Sequence, residues 1–503
     1  MITIDQLKKY LWAAAVDLRG HIDAASYKEY IFPLVFFKRI SDVYHEEYQS
    51  HRAEALAMGS SEADADEYAL GQMENSSIQI PAGAHWDDVF NTTDNLGQRL
   101  KEAFQAIELA NPPKEVDGRL VGGLQGVFGD KSLWTNRTKV PDATLRSLLN
   151  NFNRLTLSMA ECPADEMGAG YEYLIGQFAD DAGHTAQEFY TNRTVVELMA
   201  EILQLQPGES LYDPTCGSGG MLIKSLAHLR AQGREWRDVK VYGQELNPDT
   251  AAIARMNCYL HGVNEFQIVT DDTLERPAFI SNGRVQQFDV VLANPPYSIK
   301  TWNREMFQHD RYGRNFLGVP PQSKADYAFI QHILASMNER NGRCAILLPH
   351  GVLFRDEEFE MRKNLVDTDK LECVIGLGPN LFFNASMEAC IMICNNKKSS
   401  EREGKVLFID AKEEVTRKNA ESYLEDQHIA KIVATYNAFV DKEGFAKIVA
   451  NNDIQTNNSL LSIQSYVEAL HEDVVYNTRQ AVADWETGAA ALHNEITNLL
   501  NCF

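Results

Sequence analysis

From Ile4 to Tyr48 apolar residues recur at steps of three and four: Leu7, Leu11, Ala14 and Leu18, then Ile31, Leu34, Val35, Ile40 and Val43. That spacing lines one face of an α-helix and predicts amphipathic helices. The pattern returns over Leu100–Leu109 and Leu145–Leu157, with polar or glycine-rich stretches such as Gly59–Asp66 and Gly118–Gly129 between them. No strand alternation stands out, so residues 1–160 are expected to form a helical domain. After Gly183 helical stretches alternate with short apolar runs at Ser210–Tyr212, Val239–Tyr242, Gln267–Val269, Phe288–Ala293, Cys344–Leu348, Leu371–Leu377 and Ala389–Cys394. Strands alternating with helices imply crossover connections and a mostly parallel sheet, with chemistry at the carboxyl ends of the strands. The expected fold class is α/β: a helical domain over 1–160, a sheet domain over 161–400, and a C-terminal segment over 401–503. The polar run Asn395–Gly404 marks the second boundary, and Leu460–Leu500 returns to helical spacing, as expected of a tail helix that docks on a partner.

Length agrees with this division, since 503 residues make about three domains at roughly 100–200 residues each. The longest apolar stretch, Tyr30–Phe37, contains Pro33 and falls well short of the roughly 20 residues that span a bilayer, so no membrane association is expected. The start, Met1–Lys9, is charged and amphipathic and lacks the apolar core of a signal peptide. The eight cysteines form no Cys-x-x-Cys pair and no metal spacing, which suits buried thiols, no metal site and a reducing, cytoplasmic location. Charge complicates the picture. Lys+Arg 47 against Asp+Glu 71 gives −24, a balance that opposes binding to a polyanion.

Four motifs carry chemistry. Asp213-Pro214-Thr215-Cys216-Gly217-Ser218-Gly219-Gly220 joins a predicted strand to a predicted helix, and its glycines allow close backbone approach to a ligand. It lacks the Lys-Ser/Thr of a P-loop and the GxGxxG of a dinucleotide site, so a ligand with amino-acid and nucleoside ends suits it better than a pyrophosphate. Glu245 ends the next strand, where a carboxylate can take both hydroxyls of a ribose. Asp271 and Asp272 follow a third, and either suits an adenine amino group. The strand Phe288–Ala293 ends in Asn294-Pro295-Pro296-Tyr297. Two prolines remove two donors and leave carbonyl acceptors beside the Asn294 side chain, an arrangement that can accept both hydrogens of a planar amino group. Tyr297 offers a face on which a base can stack.

Asp213–Leu222 together with Asn294–Tyr297 resembles the signature pair of amino-group DNA methyltransferases. The upstream Gln187-Glu188-Phe189-Tyr190-Thr191 resembles the segment that contacts S-adenosylmethionine in that fold, in the gamma-class order. Leu11–Ala15 with Leu18-Arg19-Gly20, Ala25–Lys28, Phe37–Asp42, Tyr171–Ile175 and Pro349–Phe354 narrow the resemblance to type I restriction-modification methyltransferase (M) subunits. Two positions depart from the pattern: Asp271 stands where Gly or Asn is more usual, and Cys216 fills a variable slot. The resemblance implies a Rossmann-like methyltransferase domain that moves a methyl group from S-adenosylmethionine to adenine N6. Its catalytic set would be Asn294, Pro295, Pro296 and Tyr297. Its cofactor set would be Glu188, Phe189, Tyr190, Thr191, Asp213, Thr215, Gly217, Ser218, Gly219, Glu245, Asp272, Thr273, Leu274 and Asn294. Implied partners are double-stranded DNA, a specificity (S) subunit and a restriction (R) subunit, with two M per S.

No target-reading domain fits at the end of the chain, where Ser459–Phe503 carries six acids against Arg479 alone. The segment Ser298–Lys324, directly after Tyr297, has five cations against two acids, interleaved with Trp302, Phe307, Tyr312 and Phe316, and reads as DNA-facing. A chain of this charge is expected to bind DNA weakly by itself and to leave base reading to a more basic partner. Two other readings use the same motifs: a glutamine N5-methyltransferase acting on protein, whose relatives are much shorter, and an assembly module without catalysis.

Overall fold

The computed structural model describes residues 2–468 except 19–21, 24, 25, 117, 182–190, 380, 382–387, 419 and 420, together with 485 and 487–490. The first half is helical as expected: α1 (Ile4–Val16), α2 (Lys28–Ala57), α3 (Glu62–Met73), α4 (Trp86–Phe90), α5 (Leu96–Ala110), α6 (Asp142–Phe152) and α7 (Ala164–Asp181). Thr3 opens α1 with a reciprocal cap to Gln6, and Ser61 caps α3, each supplying a side-chain acceptor to a first-turn amide. Leu7, Leu11, Phe32, Phe36, Phe37, Phe104 and Trp134 fill the shared interior. Arg39, itself buried, donates to the carbonyls of Ser158 and Cys162 at 2.8 and 2.6 Å and so ties α2 to the turn before α7.

Two details depart from expectation. A short hairpin, β1 (Lys114–Val116) with β2 (Arg119–Val121), occupies part of the glycine-rich stretch, and strands this short leave no alternation to read. Just beyond it the Gly122 amide donates to the Phe266 carbonyl at 2.8 Å, reaching across to the main sheet. The helical core also passes residue 160, because α7 buries Tyr171, Leu174 and Phe178 in it.

The second half runs α8 (Arg193–Leu203), β3 (Ser210–Asp213), α9 (Gly220–Ala231), β4 (Lys240–Glu245), α10 (Pro248–Leu260), β5 (Phe266–Thr270), the hairpin β6 (Ile280–Ser281) and β7 (Arg284–Val285), and β8 (Val290–Ala293). It continues with α11 (Arg304–Gln308), α12 (Asp326–Ala335), β9 (Arg343–Pro349), α13 (Phe359–Asp367), β10 (Leu371–Leu377) and β11 (Ala389–Asn395). Then come β12 (Lys405–Ala411), the hairpin β13 (Thr416–Lys418) and β14 (Glu421–Tyr423), α14 (Asp426–Ala438), β15 (Ala446–Ala450) and α15 (Asn451–Thr456). Every predicted strand run is a strand. Nine strands form one sheet in the order β15-β12-β10-β11-β9-β8-β3-β4-β5. β9, β8, β3, β4 and β5 are parallel, while β11 runs antiparallel to both neighbours and β15 antiparallel to β12. The chain steps outward from β3 through β4 to β5 and then returns to β8 on the other side of β3. Loops at the carboxyl ends of β3 and β8 therefore diverge and open a crevice.

The boundary expected at residue 400 falls inside this sheet. Val406, Leu407, Phe408 and Ile409 of β12 are fully buried, so the polar run Asn395–Gly404 is an exposed turn between two core strands. Its polarity reports solvent, not a domain edge. Buried Glu372 on β10 receives the Tyr436 hydroxyl at 2.6 Å and pairs with Arg402 at 3.3 Å, binding this addition across three elements. Removing one partner from such a buried charge costs on the order of 3–5 kcal/mol. Leu461, Ile463 and Val467 are buried against the same core around a single 3-10 turn, so the expected tail helix does not begin at Leu460. Most of that predicted helix lies outside the described residues. Among the described residues no helix is long and apolar enough to cross a membrane, and no His/Cys/Asp/Glu group could hold a metal.

A chain ending at residue 400 would leave the apolar β10 as a bare edge. We expect it to be insoluble or to lack a cooperative thermal transition, whereas a chain ending at residue 468 should melt like the full protein. Equal melting of the 400-residue chain would show that β12–β15 is an independent unit.

Candidate functional site

The crevice beside β3 collects most of the predicted site. β3 delivers Asp213, buried to 1% exposure, whose Oδ1 accepts the Thr215 amide at 2.9 Å and shapes the turn that follows. Burial pushes this carboxyl up to about 7, opposed by the Thr215 hydrogen bond and reinforced by the charge of Glu245. Gly217 and Gly219 adopt φ of +54° and +78°, left-handed values that a side chain would resist, and α9 starts at once behind them. Cys216 points inward, its amide donating to the Gln244 carbonyl at 2.9 Å, and its sulfur lies where a side chain at Gly243 would have to go. Its slot in the motif is thus a packing position.

Glu245 ends β4 facing this loop. One carboxylate oxygen accepts the Gly217 amide at 3.0 Å and the other the Asn247 amide at 2.8 Å. Each oxygen of an ionised carboxylate can accept more than one donor, so holding the loop does not exclude contact with ligand hydroxyls.

The two aspartates after β5 differ. Asp271 is held by Arg276, with Nη2 at 2.7 Å, and that guanidinium keeps its carboxyl below the usual range. Asp272 turns its Oδ1 to the amides of Leu274 and Glu275 at 2.8 and 3.0 Å. Thr273 donates its hydroxyl to the Pro214 carbonyl, joining this loop to the glycine loop. Leu274 is buried against Phe307, Ala325, Ala328 and Phe329. Thr273 thus ties this loop to the glycine loop and Leu274 packs behind it, in the region where the sequence pointed to cofactor contact.

Across the crevice, β8 presents Asn294. Its Nδ2 donates to the Thr191 hydroxyl at 3.0 Å, while its Oδ1 is buried with no hydrogen-bond partner among the described residues. Pro295 is buried, and Tyr297 keeps a half-buried ring with its hydroxyl turned into the protein, where burial beside Cys390 and Asp326 pushes it well above its ordinary range. Of the upstream segment Thr191 is in place, whereas Glu188, Phe189 and Tyr190 lie outside the described residues.

A clamp that the sequence reading missed fixes the turn after Tyr297. Ser298 has φ of +52°, unusual for a side-chain-bearing residue, and its amide donates to Asp326 Oδ1 at 2.8 Å. Arg355 holds Asp326 Oδ2 at 2.8 Å and the Ser298 hydroxyl at 3.2 Å. Glu358 joins the clamp at 3.4 Å from the same Arg355 nitrogen that holds Asp326, and burial pushes its carboxyl up to about 7. The visible signal was an acid at a helix start, Asp326, but its partner is 29 residues away in sequence.

The segment 298–324 is less cationic toward solvent than its composition suggested. Arg314 is buried to 1% exposure, paired with Asp310 at 2.7 Å and donating to the carbonyls of Thr273 and Leu274 at 2.8 and 2.7 Å. Arg304 donates to the Pro320 carbonyl at 2.8 Å, Lys324 pairs with Glu357 at 3.7 Å, and Phe307 is buried. Lys300 and Arg311 are its exposed cations, and Phe316 its exposed large apolar ring.

Comparison with known proteins agrees with this architecture. Residues 163–474 match the N-6 DNA methylase family and residues 7–152 match the HsdM N-terminal domain. The HindI methylase subunit of a type I restriction enzyme from Haemophilus influenzae is 30% identical over 79% of this chain and 87% of its own length. The MjaIX methylase subunit from Methanocaldococcus jannaschii is 26% identical over 93% of this chain and 85% of its own. The crystal structure of a type I restriction-modification methyltransferase subunit from Streptococcus thermophilus superposes with a TM-score of 0.76 at 30% identity, covering 93% of this chain and all of that one. These relatives set aside the protein-glutamine and non-catalytic readings. The chain belongs to the N-6 DNA methylase family, as an adenine-N6 DNA methyltransferase of the type I restriction enzyme methylase (modification) subunit type.

Proposed function

We propose that this chain moves the methyl group of S-adenosylmethionine to N6 of an adenine turned out of double-stranded DNA, with Asn294 as the residue that receives the amino group. The observation that carries the assignment is the Asn294 amide: its nitrogen is held by Thr191, and its oxygen is buried without a hydrogen-bond partner among the described residues, at the carboxyl end of β8. A buried acceptor left empty costs on the order of 1–3 kcal/mol, so this oxygen is matched to a donor that arrives from outside.

The residues lining the crevice suit the cofactor. Gly217 and Gly219 leave room along its methionine portion, with Asp213, Thr215 and Ser218 shaping the loop. Glu245, at the end of β4, accepts the ribose hydroxyls. Asp272 takes the adenine end, because Asp271 is committed to Arg276. Thr191, continuous with Glu188, Phe189 and Tyr190, covers the far side. S-adenosylmethionine supplies an electrophilic methyl group on a sulfonium centre.

The chain's own contribution is positioning and polarisation. Asn294 Oδ1 accepts one N6 hydrogen and the Pro295 carbonyl the other, which favours a pyramidal nitrogen with its lone pair directed at the methyl group. Pro296 stiffens the turn. Tyr297, its hydroxyl turned inward, presents its ring for stacking, worth about 1–3 kcal/mol, against a base-flipping cost of a few kcal/mol. The Asp326–Arg355 clamp holds the turn in that pose.

Base reading would reside elsewhere. With −24 overall and Lys300 and Arg311 as the exposed cations of the segment beside Tyr297, the chain offers little attraction for a phosphate backbone. A separate, more basic specificity subunit would supply affinity and sequence choice, in a cytoplasmic complex of two M subunits per S to which R subunits add cleavage.

Three outcomes follow. Asn294→Ala should abolish methylation while calorimetric affinity for S-adenosylmethionine stays within about threefold; retained methylation would remove the central assignment. Glu245→Gln should weaken that affinity about tenfold or more, the effect of losing charge-assisted hydrogen bonds, and an unchanged titration would refute the ribose role. The purified chain alone should methylate DNA poorly and gain activity on addition of a specificity subunit; full site-specific activity without one would contradict the delegated reading.

A further inference from the structure

We infer that Glu172 of α7 is a positioning residue for cofactor binding: through Asn257 and Arg193 it fixes both walls of the crevice, the glycine loop and the segment entering α8. The inference rests on the assignment of S-adenosylmethionine to that crevice.

Asn257 lies on α10 and is completely buried. Its Nδ2 gives one hydrogen to the Ser218 carbonyl at 3.0 Å and the other to Glu172 Oε1 at 2.7 Å, while its Oδ1 has no hydrogen-bond partner among the described residues. Both neighbours are acceptors only, so the amide has one workable orientation, with nitrogen toward the loop and the acid. The arrangement leaves one buried acceptor empty in order to hold two others. Asn257 is thus a spacer between a carboxylate and the middle of the glycine loop.

The other oxygen of Glu172 pairs with Arg193, the first residue of α8. Arg193 stands two positions after Thr191, whose hydroxyl receives the Asn294 amide. A Cβ at Gly220 would overlap the Arg193 guanidinium, so that group lies directly on the first turn of α9. One carboxylate therefore ties the backbone at Ser218 to the approach of Thr191. Glu172 and Arg193 are each about one-fifth exposed, which spares the pair most solvent screening.

Glu172 belongs to neither wall. Its neighbours Tyr171 and Leu174 are buried in the helical core with Leu7 and Leu11, so the packing of the first domain sets where this carboxylate stands. Cofactor affinity should then depend on a residue outside the sheet domain that has no place in the cofactor motifs.

Titration of the full chain with S-adenosylmethionine tests this, with kinetics measured on the assembled modification complex. Absence of binding by the wild-type chain would overturn the crevice assignment itself. Given wild-type binding, Glu172→Ala is expected to weaken affinity about tenfold or more. Glu172→Gln keeps an acceptor for Asn257 but loses the charge facing Arg193, and should weaken it about threefold. The kinetic loss should fall on the cofactor KM more than on kcat, and Asn257→Ala added to Glu172→Ala should do little further harm, as expected for residues acting through one chain of contacts. Wild-type affinity in Glu172→Ala would overturn the inference, as would a fall in kcat and melting temperature with an unchanged cofactor KM. Should Glu172→Ala fail to fold, Glu172→Gln decides, and wild-type affinity there overturns the inference equally.

Discussion

The chemistry of this protein depends on two parallel strands, β3 and β8, lying side by side while their onward connections leave in opposite directions. A parallel sheet has no opening along its length, because its faces are covered and its strands are hydrogen-bonded. Only where neighbouring loops part company can a ligand reach the strand ends. Asp213 and the glycine loop leave β3 on one side, and Asn294 with its two prolines leaves β8 on the other. Glu245, one strand further out, holds the first loop by the Gly217 amide. Thr191 reaches across to the second through Asn294.

Much of this was legible in the sequence because the motif residues stand at the ends of strands that local pattern predicts. Asp213, Glu245 and Asn294 are each at a strand end, and the backbone that places them is local. The supports were not legible. Asp326 and Arg355 clamp a turn that begins at Ser298, and nothing in the local pattern of either residue announces the other. Charge counting failed at Arg314 for a related reason: it counts as one of five cations in a segment expected to face DNA, yet its side chain and that of Asp310 are both buried. The polar stretch before β12 misled in the opposite sense. It marked the end of β11 correctly, but exposure of a turn carries no information about whether the next strand rejoins the same sheet.

The net charge takes on a different meaning once residues have places. Several acids that contribute to −24 are consumed internally: Glu245 by amides, Glu172 and Glu372 by guanidinium groups, Asp326 by the clamp. Several cations are consumed likewise, Arg39 by carbonyls and Arg314 by Asp310. A total charge is thus a weak guide to what a polyanion would meet beside Tyr297, where the exposed cations of segment 298–324 are Lys300 and Arg311.

α10 carries a consequence of its own. One side of it, Ile253, Met256 and Leu260, lies in the helical core; the other, Ala251, Ala254 and Cys258, lies in the core of the sheet. Such a helix cannot be assigned to one owner. Two segments that read as separate modules along the sequence share a structural wall, so exchanging the first half for that of a distant relative would require rewriting a helix in the second. Inheritance of the two halves as one piece is then a condition imposed by packing, independent of the reaction they serve.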